Sequence, residues 1–484
     1  MGRSRREFLQ TAALGAAAGL LGQGCAAVPP PAGPSARPPS DRPSLLFVFA
    51  DQWRAQATGY SGNRQVRTPN LDRLAAGSVN FATAVSGCPV CSPYRASLMT
   101  GQYPQTHGVF LNDAPLRSRD PCLAQVLAAA GYDTAYIGKW HLDGPRRSAY
   151  IPPERRLGFD FWRGAGCIHD YHHSFYMASP TQRVTWQGYD ALAQTREAQD
   201  YLRSRTAGRP FALFLSFGPP HPPYGAAPAR YRALFRAAAL RPRKNVPGPT
   251  AAAARRALAG YYAHIAALDH CLGALLQTLE RQGLARRTIV VFTADHGDML
   301  YSQGQQKKQQ PWDEALRVPF LLRLPGRGVG GRTVHAPIDA PDVMPTLLGL
   351  CGLRIPASVQ GRDLSGLALG AGEPEDGAAL IACVSPFGAW SHRRGGREYR
   401  GLRTRRHTYV RDLSGPWLLY DNERDPLQLE NLCGRPEQAR LQARLEQQLS
   451  DRLARIGDAF DPGETYLRRW GYRVDEHGAI PYQS

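Results

Sequence analysis

Four apolar runs in this 484-residue chain each end in side chains able to hold an ion or move a proton. Leu45-Leu46-Phe47-Val48-Phe49-Ala50 leads into Asp51-Gln52, and Thr134-Ala135-Tyr136-Ile137 leads into Gly138-Lys139-Trp140-His141. Residues 211–217 lead into Gly218-Pro219-Pro220-His221. Ile289-Val290-Val291-Phe292 leads into Thr293-Ala294-Asp295-His296-Gly297-Asp298. Open α/β sheets place their sites just past the C-terminal ends of strands. Taken singly, Asp51 reads equally well as an Asx turn or helix cap, and His296 as a hydrogen-bonded loop histidine. Four such junctions carrying Asp, Lys, His and Asp-His make coincidence a poor explanation.

A fifth segment, Cys88-Pro89-Val90-Cys91-Ser92-Pro93-Tyr94-Arg95-Ala96-Ser97-Leu98-Met99-Thr100-Gly101, admits three readings. Cys88 and Cys91 form a Cys-x-x-Cys pair. A redox pair, however, opens a helix in a thioredoxin-like unit, and zinc needs two further ligands at suitable spacing; no second pair exists. Two buried structural cysteines are the second reading. The third rests on Cys91-x-Pro93-x-Arg95 followed by Ala-Ser-x-x-Thr-Gly, extended by Gln102-Tyr103-Pro104 and Thr106-His107-Gly108-Val109. This run closely resembles the signature of the sulfatase family, in which a maturation enzyme converts the cysteine to formylglycine.

The resemblance extends over nearly the whole chain after its N-terminal segment. Thr68-Pro69-Asn70-Leu71-Asp72-Arg73-Leu74, the Gly138 and His221 segments, Asp295-His296-Gly297-Asp298-Met299-Leu300, Arg317-Val318-Pro319 and Asp342-Val343-Met344-Pro345-Thr346-Leu347 look like sulfatase blocks in the family's order. Leu419-Tyr420-Asp421, Asp425-Pro426 and Glu430-Asn431-Leu432 resemble the family's smaller C-terminal domain. The implied architecture is α/β and alkaline-phosphatase-like. A central, mostly parallel sheet is flanked by helices, and a smaller C-terminal α+β domain carries an antiparallel sheet. The expected divisions are an export signal at 1–27, a linker at 28–43, a catalytic domain at 44–370 and a C-terminal subdomain at 371–484.

The resemblance also implies a ligand set for one divalent metal: Asp51, Gln52, Asp295, His296 and an oxygen from the modified Cys91. Mostly oxygen donors favour a hard cation, Ca²⁺ first and Mg²⁺ next, while the imidazole raises the standing of Mn²⁺ or Zn²⁺. Relatives often carry Asp where Gln52 stands and Asn where His296 stands, so both departures lower the negative charge of the site. Arg95, one helical turn past Cys91, is expected to hold the ionised hydroxyl of the modified residue. Lys139 and Lys308 are the expected sulfate-binding cations. Lys308 is preferred to Lys307 because it falls at the family's spacing from Asp295 and Pro311. His141 is expected to act as a neutral base that helps expel sulfate. His221 is expected to contact sulfate and protonate the leaving group, and Asn112 to contact substrate. Gln303 stands where relatives often carry His.

The chemistry explains the choice of residue 91. A sulfate monoester is a poor electrophile ringed by negative oxygens. Its site must neutralise charge, present an oxygen nucleophile and protonate the departing alcohol. A thiol would leave a thiosulfate-like species with no easy exit. A hydrated aldehyde has two hydroxyls: one attacks sulfur, and the other later loses its proton and expels sulfate as the carbonyl re-forms.

The elements that must position these residues are also written in the chain. Short apolar runs alternate with longer amphipathic ones, as in an α/β fold with a mainly parallel sheet. Thr68 is placed to cap a helix that has Pro69 at its first position and ends at Gly77. Asp120-Pro121 is expected to open a helix ending near Gly131. Residues 251–282 form an Ala/Leu-rich stretch with helical spacing.

The composition, 43% hydrophobic and 20% charged, is that of a large globular chain. Nine cysteines are too few for a disulfide scaffold. Cys122, Cys167, Cys271, Cys351, Cys383 and Cys433 read as small buried hydrophobes. The formal charge is +19, and Lys139, Lys244, Lys307 and Lys308 are the only lysines. The excess reads either as an Arg-rich coding bias or as a field that draws polyanions. No motif for reading nucleic acid is present. Ser4-Arg5-Arg6-Glu7-Phe8-Leu9 looks like a twin-arginine export motif. The apolar run that follows, 11–21, is too short to span a bilayer comfortably. Cys25 is a candidate lipidation site, and residues 28–43 read as a Pro-rich tether. The expected location is therefore periplasmic or cell-surface. The expected partners are the export machinery, a formylglycine-generating enzyme and a sulfated carbohydrate or small sulfate ester. Loops at 143–173, 225–249 and 386–400, rich in Arg, Tyr, Trp and His, suit a carbohydrate sulfate. The rivals are a phosphonate or phosphate monoester hydrolase of the same superfamily and a non-catalytic binder of sulfated glycans.

Overall fold

The computed structural model describes residues 41–205, 208–326 and 328–483. The export motif, Cys25 and most of the Pro-rich segment lie outside the described residues. The central sheet has eight strands: β1 (Ser44–Asp51), β2 (Val79–Phe81), β3 (Asp133–Lys139), β4 (Phe161–Ala165), β5 (Phe211–Pro220), β6 (Thr288–Ala294), β7 (Phe320–Arg323) and β8 (Thr333–Val334). Their spatial order is β8-β2-β7-β6-β1-β5-β3-β4. β1 pairs in parallel with both β5 and β6, and β3 in parallel with β5 and β4. β7 alone runs antiparallel, between β6 and β2. The four runs read as strands from the sequence are thus β1, β3, β5 and β6, the contiguous centre of the sheet with β3 one place from its edge. Every residue of β1 and of β6 is buried, which is why both read as unbroken apolar runs.

Helices cover the sheet. α1 is Pro69–Ala76, α2 Cys91–Thr100, α3 Leu123–Ala129, α4 Asp190–Arg203 and α5 Ala251–Arg281. The expected long helix is α5, with 31 residues. Two helix starts differ in detail from the sequence expectation. Thr68 precedes α1 but makes no side-chain cap. Its hydroxyl instead accepts from Gly59 N at 2.8 Å and donates to Asp72 at 2.9 Å, closing the preceding loop. The α3 cap is Cys122, not Asp120, because Gln125 folds back to accept from the Cys122 amide at 2.8 Å.

A second, antiparallel sheet follows: β9 (Ala378–Cys383), β10 (Tyr399–Thr404), β11 (His407–Asp412) and β12 (Gly415–Asp421). It is covered by α6 (Ala439–Arg455), whose Leu445, Leu449 and Leu453 recur at helical spacing and bury against Leu380, Leu402 and Leu419. The two sheets are joined within one compact unit, where Ala382 N donates to Gly87 O at 2.6 Å, just before the Cys88 segment. Among the described residues, no helix is long and apolar enough to cross a membrane.

Candidate active site

The C-terminal ends of β1 and β6 lie side by side, so Asp51-Gln52 and Asp295-His296 emerge at one point. Position 91 faces them from the first turn of α2. Ligand atoms of Asp51, Cys91, Asp295 and His296 all lie within 4.8 Å of one another, and all four residues are buried. The Cys91 sulfur is 3.5 Å from Asp51 Oδ1, 3.2 Å from His296 Nε2 and 2.9 Å from Lys308 Nζ. Two glycines permit the approach. A side chain at Gly297 would stand 2.0 Å from the Glu314 carbonyl oxygen, and one at Gly138 would stand 2.0 Å from that of Ser216. Gly138 also takes a φ of +100°, which turns the chain toward Lys139.

Gln52 sits in the left-handed region with φ 70°. Strain of this kind persists where surroundings over-determine it, and three bonds do so here. Its amide donates to Asp295 Oδ1 at 3.0 Å, its carbonyl accepts from Tyr261 at 2.7 Å, and its Nε2 donates to Asp298 at 2.7 Å. The side-chain oxygen is left buried with no hydrogen-bond partner. An orphaned buried acceptor costs about 1–3 kcal/mol, a penalty relieved if a cation takes that oxygen. His296 tells the same story: its Nδ1 is 2.9 Å from the Gly297 carbonyl, which fixes the proton there and leaves the Nε2 lone pair facing the carboxylates, free for a cation. Two carboxylates, an amide oxygen, an imidazole and position 91 therefore fit a divalent metal.

Positive charge outweighs negative around this cluster. Lys139 pairs with Asp51, Arg95 with Asp295 at 2.8 Å, and Lys308 Nζ lies 3.1 Å from His296 Nε2. Burial disfavours the Asp51 carboxylate, but Lys139, His221, Lys308 and His296 hold its pKa well below the ordinary range. The two cysteines of the Cys-x-x-Cys pair separate here. Burial pushes the Cys88 thiol up to about 12, while Cys91, despite burial and Asp51, is drawn below its ordinary value by Lys139, Lys308 and His296. Both are free thiols in the structure.

Arg95 is anchored by several partners. Its guanidinium donates twice to Asp295 Oδ2, at 3.1 and 2.8 Å, and to the Lys139 carbonyl and the Ser216 hydroxyl, each at 2.7 Å. These bonds run to the carboxylate and the strand ends, while the Cys91 sulfur acts on Arg95 through its charge. Gln303 is anchored as well: its amide reaches the carbonyls of Leu427 and Gln428 at 2.9 Å each and ties the loop to the C-terminal region. Asn112 accepts from the Ser92 amide at 3.2 Å and so supports the start of α2. Lys308 is buried on the Cys91 sulfur and Lys307 is exposed, in line with the preference for Lys308.

The two histidines are the larger surprise. His141 Nε2 lies 3.2 Å from Asp113, which is gripped bidentately by Arg147 at 2.7 and 2.6 Å. Burial opposes the imidazolium, but the Cys167 sulfur and Asp113 carry the His141 pKa up to about 10 despite Lys139. His221 is the reverse. Its Nδ1 is 2.8 Å from the Pro222 carbonyl and its ring stacks on His169 at 4.1 Å. Burial, His169 and the two lysines hold its pKa well below the ordinary value, against Asp51. In the free site these surroundings favour a proton on His141 and disfavour one on His221. A bound anion would return proton affinity to His221.

Sequence reasoning missed Asp113, Arg147, Cys167 and His169. Cys167, expected to be an inert hydrophobe, has its sulfur 3.3 Å from His169 Nε2. Burial opposes its thiolate, but His141, His169 and Lys139 draw its pKa well below the ordinary value. The signal available was its neighbour, Cys167-x-His169.

Comparison with known proteins agrees with this geometry. The sulfatase family model matches residues 43–353, and that of the N-sulphoglucosamine sulphohydrolase C-terminal region matches 303–455. An ulvan-active sulfatase of Formosa agariphila is 43% identical over 451 residues, spanning 91% of this chain and 87% of that protein. A solved structure from work on glycosaminoglycan metabolism by Bacteroides thetaiotaomicron superposes with a TM-score of 0.79 at 29% identity, covering 88% of this chain and 99% of that one. The phosphonate monoester hydrolase of Agrobacterium radiobacter superposes at 0.72 with 26% identity, over 86% and 96% of the two chains. With its sheet of alkaline-phosphatase type and a cysteine among clustered metal-ligand groups, the chain belongs to the sulfatase family and is a sulfuric ester hydrolase.

Proposed function

We propose that the enzyme hydrolyses sulfate monoesters on a carbohydrate, with residue 91 matured from cysteine to formylglycine. The observation that carries the reading is the place of the Cys91 sulfur, in contact with Asp51, His296 and Lys308 at once. Asp51, Gln52, Asp295, His296 and the modified residue would hold one divalent ion. Ca²⁺ is the first choice and Mg²⁺ or Mn²⁺ its competitors; bound, it supplies charge neutralisation and orients the attacking oxygen. Arg95 fixes Asp295 for that purpose. Lys139 and Lys308 bind the sulfate oxygens. His221, neutral in the free site, gains a proton as the anion docks and can hand it to the leaving alcohol. His141, held by Asp113 and Arg147, moves the proton that departs when sulfate is expelled. The ulvan-active relative and the Arg- and aromatic-rich loops support a polysaccharide substrate. The basic N-terminal motif supports twin-arginine export to the periplasm or cell surface, with Cys25 as a lipid anchor.

The likeness to a phosphonate monoester hydrolase favours one second reading, a phosphonate or phosphate ester as substrate. Paired aryl sulfate and aryl phosphonate substrates decide between them. The sulfatase reading expects the higher kcat/KM on the sulfate; a higher value on the phosphonate would reverse it. Intact mass of protein made with a maturation enzyme tests residue 91, since conversion lowers the mass. Full activity with an unaltered thiol would end the proposal.

A further inference from the structure

A second basic cavity, of about 880 Å³, lies away from Cys91. Six cations line it: Arg54, Arg64, Arg241, Arg243, Lys244 and Arg317, and no carboxylate does. Glu314 balances Arg243 at 2.8 Å, and Asp313 lies 3.5 Å from Arg317. Among the described residues, Arg54, Arg64, Arg241 and Lys244 have no ion pair. Arg54 is only 2% exposed, and its Nε and that of Arg317 are buried without hydrogen-bond partners. The walls are built, since Gln65 and Arg241 lock the two loops together by reciprocal bonds of 3.0 and 2.7 Å.

The sheet topology places this cavity relative to the catalytic centre. β7 runs antiparallel to β6 and to β2, so the residues before β7 (317–319) and after β2 lie at the same end of the sheet as Asp295. Arg54 follows Gln52 by two residues and reaches the Asp298 carbonyl at 3.4 Å, while Asp298 also holds the Gln52 amide. Centre and cavity thus share a wall and face one end of the fold, the cavity displaced toward the β2 side.

We infer that this cavity is a second, non-catalytic subsite that holds a sulfate- or carboxylate-bearing stretch of a polysaccharide while another sulfate of the same chain occupies the catalytic centre. The inference rests on the carbohydrate sulfatase reading above. Unpaired cations gathered in one recess with no carboxylate lining it attract multiply charged anions. Asn80 offers an amide to sugar hydroxyls, those of Asn63 and Gln65 being taken up within the wall, and Tyr60 and the buried Tyr262 complete the lining. Two tyrosines are not the run of stacking aromatics that a single-stranded nucleic-acid groove presents.

The test uses the full chain and the triple variant Arg64→Gln/Arg241→Gln/Lys244→Gln, three exposed residues outside the catalytic machinery. Equilibrium binding is measured with labelled dextran sulfate, neutral dextran and a single-stranded oligonucleotide, alongside turnover of a small aryl sulfate. Dextran sulfate binding is expected to weaken about tenfold in the variant, the loss diminishing with added salt. Neutral dextran should bind neither protein, and aryl sulfate kcat and KM should stay unchanged. Unchanged dextran sulfate affinity with intact aryl sulfate turnover overturns the subsite alone. A preference for the oligonucleotide that the variant abolishes also overturns it, in favour of nucleic acid. A wild type that turns over no sulfate ester, yet loses dextran sulfate binding in the variant, overturns the catalytic reading and leaves the cavity as an anion site.

Discussion

Replacing Cys167 by serine removes a charge and keeps the size, and His141 should report it. The groups facing that imidazole are Lys139, which lowers its proton affinity, and Cys167 and Asp113, which raise it, with Arg147 clamping Asp113 from behind. Cys167 is the largest of the raising influences on a pKa that stands at about 10. A serine hydroxyl stays neutral at every working pH. An opposite charge at contact distance moves a buried group by about one to three units, so the His141 pKa should fall by about that much. The sign follows directly. Under the proposed role His141 must be neutral to accept the proton released as sulfate leaves, so in the native enzyme the rate of that step should climb with pH toward about 10. In the variant the climb should end at lower pH, and the neutral fraction at pH 7 should rise about tenfold or more. The assay is the pH profile of kcat for an aryl sulfate, with Cys167→Ser and Cys167→Ala compared. Both should move the acidic limb alike, since both delete the thiolate. A limb that stays in place in both variants refutes the assignment of His141 as the group that titrates, or of Cys167 as the charge that holds it.

Three further outcomes follow from the same geometry. Cys91→Ala should abolish turnover, whereas Cys88→Ala should leave kcat intact and cost only about 1 kcal/mol in denaturant unfolding, the removal of one small buried group. Gln52→Ala removes the orphaned oxygen; calorimetric titration of the metal-stripped protein with Ca²⁺ should show weaker binding by about tenfold or more, equivalent to the 1–3 kcal/mol of an unmet buried acceptor. Unaltered Ca²⁺ affinity would remove Gln52 from the ligand set. Arg95→Met leaves Asp295 buried without its guanidinium partner, so unfolding free energy should drop by about 3–5 kcal/mol, and a stability change below about 1 kcal/mol would show that the pair contributes little.

Much of this site could be read along the chain because strand ends carry local signals. A buried parallel strand must be apolar throughout, and the polar residue that follows it must emerge at the sheet's C-terminal edge, so Asp51, Lys139, His221 and Asp295 were visible as a group before any contact was known. The Cys91 segment was visible for another reason, its resemblance to the extended sulfatase signature, since the Cys-x-x-Cys spacing alone left other readings open. Lys308 was preferred to Lys307 because it falls at the sulfatase family's spacing, and of the two it is the buried one.

What only the tertiary structure decided is the partner of each charge. Arg95 lies one turn from Cys91 in sequence, yet its guanidinium is taken by Asp295, 200 residues away. His141 was legible as a histidine but not as an imidazolium, because its proton affinity is set by Asp113 and Cys167, which reach it from two other loops. The basic cavity joins residues 54–65, 241–244 and 317, three segments whose arginines look like ordinary members of an Arg-rich chain until folding removes the carboxylates from between them. Local pattern fixes which backbone is strand or helix. Electrostatic energies depend on distances in space and on burial, and neither is encoded in sequence spacing.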